Sequence, residues 1–121
     1  MDRERFRELV AEALDTLPAM FRERIHNVAV IVEDLPNADA LRRARVHRHN
    51  LLLGLFEGVP ATMKSTFDFI TGPNRIVLYQ KNIEAVCRGD EEIREQVQRT
   101  VMHELGHYFG MSEEQLRKAG L

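Results

Sequence analysis

Apolar side chains at Phe6, Leu9, Val10, Ala13, Leu14 and Leu17 recur at i, i+3, i+4, i+7, i+8 and i+11, the spacing of one helical face. The pattern predicts an amphipathic helix that Pro18 stops, with a further helical turn over 19–25. Val28-Ala29-Val30-Ile31-Val32 is an unbroken, mostly β-branched run, which predicts a strand covered on both faces. Glu33-Asp34-Leu35-Pro36-Asn37 then reads as turn chemistry. Leu51 to Phe56 predicts a second strand; Gly54 within it and Pro60 after it suit a sheet edge where another element approaches the backbone. Residues 63–72 have no clear period and read as a loop. Arg75 to Gln80 predicts a third strand, and Asn82 is placed to cap a short helix through Val86.

The principal helix follows. Asp90 is expected as its N-cap, Glu91 and Glu92 suit the positive end of its dipole, and Ile93, Val97, Val101 and Leu105 form a buried stripe. Gly110 can take positive φ and end this helix. Ser112-Glu113-Glu114-Gln115 then forms a capping box for a last helix through Lys118.

Composition bounds this picture without naming a partner. A chain of 121 residues is enough for one domain with its own core, so a metal here serves function rather than folding. The net charge of −2 and 30% charged residues argue against general affinity for nucleic acid or membranes. The single cysteine, Cys87, excludes an internal disulfide and reads as a small buried residue in a reducing compartment. No apolar run follows Met1-Asp2-Arg3-Glu4-Arg5 to serve as a signal peptide, and no segment has the length of a membrane span, so the expected location is the cytoplasm. Arg42, Arg43, Arg45, His47, Arg48 and His49 crowd one stretch, which reads as a solvated loop or short helix because no aromatic residues interleave to stack bases.

The chemistry concentrates in His103-Glu104-Leu105-Gly106-His107. On an α-helix, residues four apart lie about 40° from each other and about 6 Å along the axis, so both imidazoles can reach one metal ion. Glu104 sits beside them, able to touch a water at that ion but poorly placed to ligate it, which makes it the natural general base. In a chain with 5 His, a chance match to this pattern is expected about 0.02 times. The turn at Gly110 can bring Glu113 back toward the metal, while the capping box makes Glu113 a favourable first-turn acid of the last helix; the two roles are compatible.

The run from His103 through Gly110 to Glu113, with support from Asn27-Val28-Ala29-Val30 and from Gly54-Leu55-Phe56-Glu57-Gly58-Val59-Pro60, resembles the zincin metallopeptidases, in particular small bacterial minimal zincins of about this length. The resemblance spans most of the chain and implies a single zincin-like α+β domain over residues 1–121. Its small mixed sheet of three to four strands would pack against the N-terminal helix and the C-terminal HExxH helix. It further implies a zinc metalloendopeptidase in which His103, His107 and Glu113 hold Zn²⁺, with glutamate standing where related patterns have His or Asp. Glu104 acts as base, and an edge strand over Gly54, Leu55 and Phe56 aligns a peptide or protein substrate. No oxyanion helper is assigned; Tyr108, His47 and His49 are candidates, and ordinary packing is the expected role of Tyr108. Two other readings stand beside it: a metal-dependent ribonuclease that takes phosphate on the 42–49 stretch, and a non-catalytic metal-binding or interaction module.

Overall fold

The computed structural model describes residues 1–25, 27–44, 51–58 and 74–121. The sequence positions 45–50, with His47 and His49, and the predicted loop over 63–72 lie outside the described residues. Helix α1 (Arg3–Asp15) follows the predicted periodicity, with Phe6, Leu9, Val10 and Ala13 buried, and α2 (Ala19–Ile25) is the further helical segment expected after Pro18. Strand β1 (Val28–Glu33), helix α3 (Ala38–Ala44), strands β2 (Gly54–Glu57) and β3 (Asn74–Tyr79), and helices α4 (Gln80–Val86), α5 (Asp90–Tyr108) and α6 (Glu113–Lys118) complete the described elements. The class is α+β, as expected.

The described strands form a three-stranded mixed sheet in the order β1-β3-β2, with β1 parallel and β2 antiparallel to β3. Only the middle strand β3 is covered on both faces. Its Ile76 and Leu78 join the main core with α1 and α5, while Val77 and Tyr79 face the smaller cluster that holds Ala40 of α3. The β-branched run of β1 does not have the two-sided cover predicted for it: among the described strands β1 lies at an edge, with Val28 and Val32 buried and Ala29 and Glu33 exposed. Its branched side chains suit a pleated surface wherever the strand lies, so composition could not separate centre from edge. Among the described strands the second is also at an edge, as Gly54 suggests.

Two predicted caps are also displaced. Gly89, at φ 128°, is the N-cap of α5, and Asp90 is the first helical residue; its carboxylate accepts from the Arg5 guanidinium at 2.7 Å and ties α5 to α1. Asn82 lies inside α4, where its side-chain amide donates to the Leu52 carbonyl at 2.9 Å. Together with the Tyr79 N–H donated to the Leu53 carbonyl at 3.0 Å, this bond fixes the approach to β2. Arg43 of the basic stretch donates to Asp39 and Glu57, so that side chain is committed to ion pairs at the sheet rim.

Candidate metal centre

Helix α5 carries the centre on the flank of its core-facing stripe. Ile93, Val97, Val101 and Leu105 are buried against α1 and the sheet, which fixes the helix in rotation. The adjoining face then turns His103 and His107 into a cleft. Their rings stand edge to face with centroids 4.8 Å apart, and their Nε2 atoms are 3.2 Å apart. The Nδ1 of His103 lies 3.3 Å from the Leu121 backbone oxygen. An Nδ1–H donated there leaves the Nε2 lone pair directed into the cleft, the arrangement by which an outer partner orients a ligating histidine.

Glu113 reaches the same point from α6. The helix α5 ends as predicted: Gly110 takes φ 84°, its N–H donates to the His107 carbonyl at 2.9 Å, and the Met111 N–H donates to the Gly106 carbonyl at 2.9 Å. This reversal delivers the chain to Ser112, whose hydroxyl and backbone N–H close the capping box with Gln115. Gly106 makes the return possible at short range, because a Cβ there would lie 2.3 Å from the Leu116 Cδ2, and Leu116 is fully buried. The first residue of α6, Glu113, then places Oε1 2.8 Å from the His107 Nε2 and 3.4 Å from the His103 Nε2.

His103, His107 and Glu113 therefore form a group that could hold a metal ion. Ligand atoms about 2.0–2.1 Å from a tetrahedral zinc ion stand about 3.3–3.4 Å from one another. The observed 3.2 and 3.4 Å separations match that spacing, and the 2.8 Å pair needs only a small shift of an exposed side chain. Two imidazoles and one carboxylate also leave a fourth position open.

Glu104 occupies the other side of α5, against β2. Its Oε1 accepts the Phe56 N–H at 3.3 Å. Burial pushes its carboxyl above the ordinary carboxylate range, against the pull of His107 and His103 and of this hydrogen bond. Glu113 behaves oppositely. Desolvation is the largest single influence and raises its carboxyl, but in the metal-free protein the combined pull of His103 and His107 outweighs it and leaves the group below that range.

The edge strand is closer to α5 than its pattern could reveal. A Cβ on Gly54 would meet the Thr100 Cγ2 at 2.7 Å, so the element that approaches this glycine is the site helix itself. Since Leu53 pairs through its carbonyl with Tyr79, antiparallel alternation directs the backbone groups of Leu55 toward β3 and those of Gly54 and Phe56 outward. The outward Phe56 N–H is the one taken by Glu104.

These groups line a cleft of about 480 Å³. It holds His103, Glu104, His107 and Glu113 at one end and Leu51, Gln96 and Arg99 toward the start of α5. Tyr108 is buried, as expected of a packing residue, with its ring 4.7 Å from Phe56 and its hydroxyl accepting from the Asn74 amide at 3.1 Å beneath the site. Sequence reading missed Gln96, Arg99 and Thr100. They lie seven, four and three residues before His103, and extending the helical spacing backward would have found them. The Phe56 hydrogen bond to Glu104 and the Leu121 oxygen carry no such signal, because both depend on how separate segments pack.

Among the described residues, no helix is long and apolar enough to cross a membrane. No curated protein matches the chain. The fold is similar to the solved structure of a conserved hypothetical protein from Thermus thermophilus, with TM-score 0.56 and 23% identity over 98% of this chain and 99% of that one. The family described as zincin-like metallopeptidase matches residues 25–121, a span that includes the site helix, the reversal at Gly110 and Glu113. By that match the chain belongs to the zincin-like metallopeptidases.

Proposed function

We propose that the protein hydrolyses peptide bonds with zinc held by His103, His107 and Glu113 and with Glu104 as general base. The observation that carries this reading is the contrast of two carboxylates around one histidine pair: Glu113 on the ligand atoms, Glu104 desolvated beside them. Zinc, when bound, supplies Lewis acidity that polarises a carbonyl and brings the pKa of water to about 7. The residues supply the rest. His103 and His107 present Nε2 from consecutive turns of a helix whose core stripe prevents rotation. The Phe56 N–H holds one oxygen of Glu104, leaving the other to take a proton from the attacking water. Glu104 then returns that proton to the leaving amine, so the base is regenerated when the peptide bond breaks. The outer edge of β2, which pairs with no strand among the described residues, aligns an extended substrate by strand addition, with Gly54 offering outward backbone groups beside the Phe56 N–H that Glu104 holds.

The test is metal analysis of the purified protein and a Glu104→Gln variant, combined with hydrolysis of a peptide library. The expected result is zinc near one per chain in both, with hydrolysis in the parent alone. A parent that takes up no zinc at neutral pH would sink the reading. Zinc uptake with no hydrolysis of any peptide would favour a metal-binding module instead.

A further inference from the structure

Arg99 is the one Lys or Arg among the described residues that line the cleft. It is exposed, and among the described residues its guanidinium makes no hydrogen bond or ion pair. Several other arginines are committed to acids, Arg3 to Asp34, Arg5 to Asp90, Arg75 to Glu57 and Arg94 to Glu12, and what sets Arg99 apart is its place on the cleft. An unpaired guanidinium at the end of a cleft that already holds a cluster of ligand atoms is a ready receptor for a carboxylate.

The direction of β2 says which part of a substrate it meets. Gly54 abuts Thr100, the Phe56 N–H reaches Glu104, and the Phe56 ring lies on Tyr108, so β2 and α5 run in the same sense. A peptide added antiparallel to β2 runs against α5. Its C-terminal part then lies over the beginning of the helix, beside Arg99, Gln96 and the apolar wall at Leu51 and Leu53. One helical turn separates Arg99 from His103, about 6 Å, and an extended peptide advances about 3.3 Å per residue. The guanidinium is therefore in register with the first or second residue after the bond to be cut.

We propose that Arg99 is a specificity-determining residue that binds a carboxylate one or two residues to the C-terminal side of the scissile bond; this rests on the peptidase reading above. The carboxylate is either the free C-terminus of a short peptide or an Asp or Glu side chain.

The test uses the zinc-loaded protein and one peptide series. Residues one and two after the cleaved bond are Glu, Gln or Lys, and each peptide has a free or an amidated C-terminus. The expected result is a preference of about tenfold in kcat/KM for carboxylate-bearing peptides, carried by KM. Loss of the preference on amidation assigns it to the C-terminus, and loss on Glu to Gln assigns it to the side chain. In Arg99→Gln the ratio of acidic to neutral substrates falls to about one, and in Arg99→Glu it inverts toward Lys. Both variants keep the parent's thermal midpoint, since the side chain is exposed and unpaired. Binding of the same peptides to Glu104→Gln, with and without Arg99→Gln, is followed by fluorescence anisotropy. Arg99-dependent binding without turnover in the parent would uphold the carboxylate site and overturn hydrolysis. Hydrolysis with no acidic preference, or a preference that survives Arg99→Gln, would overturn the carboxylate site alone; peptides neither cut nor bound would overturn both.

Discussion

The two flanks of α5 give two glutamates opposite characters. On the β2 side, Glu104 is half-buried, held by a backbone N–H, and has its carboxyl raised by desolvation. On the α6 side, Glu113 keeps 65% side-chain exposure and has its carboxyl lowered by two imidazoles. A carboxylate that accepts a proton more readily suits a base, and one that stays ionised suits a ligand. The same chemical group thus takes two characters through what packs on each flank, and these are the characters that the proposed roles of base and ligand require. A glycine enables each packing: Gly54 lets β2 close on Thr100, and Gly106 lets Leu116 seat α6.

The sharpest way to break this comparison is to neutralise each acid in turn. Glu104→Gln is expected to lower kcat by about 10²–10⁴-fold while metal content stays unchanged. Loss of metal in that variant would erase the division of roles. Glu113→Ala, by contrast, is expected to weaken zinc binding, measured by competition with a chelator, by more than the about 100-fold that loss of an outer-shell partner costs. Its effect on the metal-free fold stays within about 0.5 kcal/mol, because the side chain is exposed.

The glycines sharpen the comparison at smaller scale. Gly106→Ala must displace Leu116, and Gly54→Ala must displace Thr100, so each is expected to cost about 1–3 kcal/mol in urea unfolding. They should differ in what else they disturb. Gly106→Ala moves Glu113 and weakens metal binding, whereas Gly54→Ala moves the Phe56 N–H off Glu104 and lowers turnover with metal retained.

The smallest effect is in pH. In the metal-free protein Glu104 has a raised carboxyl, so between its unfolded and folded values the native state binds more protons than the unfolded state. Stability from this group is therefore present at low pH and declines as pH rises through that window. Glu104→Gln removes the decline. The variant is expected to be at least as stable as the parent at about pH 7, with the two converging below about pH 4. Glu113 contributes with the opposite sign, its stabilisation present above the ordinary carboxylate range and lost as pH falls, and weakly because solvent screens it. Urea unfolding of the metal-free parent, Glu104→Gln and Glu113→Gln across that range checks both signs.

The sequence by itself determined whatever depends on residues within a few turns of one another. The stripe of Ile93, Val97, Val101 and Leu105, the histidines four apart on its flank, the Gly110 stop and the Ser112 capping box are local, and side-chain period and cap chemistry specify them. Tertiary structure decided what depends on distant segments meeting. Val28 to Val32 could not reveal that β1 lies at an edge of the described sheet, because strand order follows from which strand β3 pairs on each side. Nor could Glu104 alone reveal that the Phe56 N–H, 48 residues earlier in the chain, fixes one of its oxygens. The distance of Glu113 from the imidazoles likewise depends on Leu116 entering the space above Gly106. Period and capping are written in the order of residues; the desolvation and close approach that separate Glu104, the proposed base, from Glu113, the proposed ligand, exist only once β2 and α6 have closed on α5.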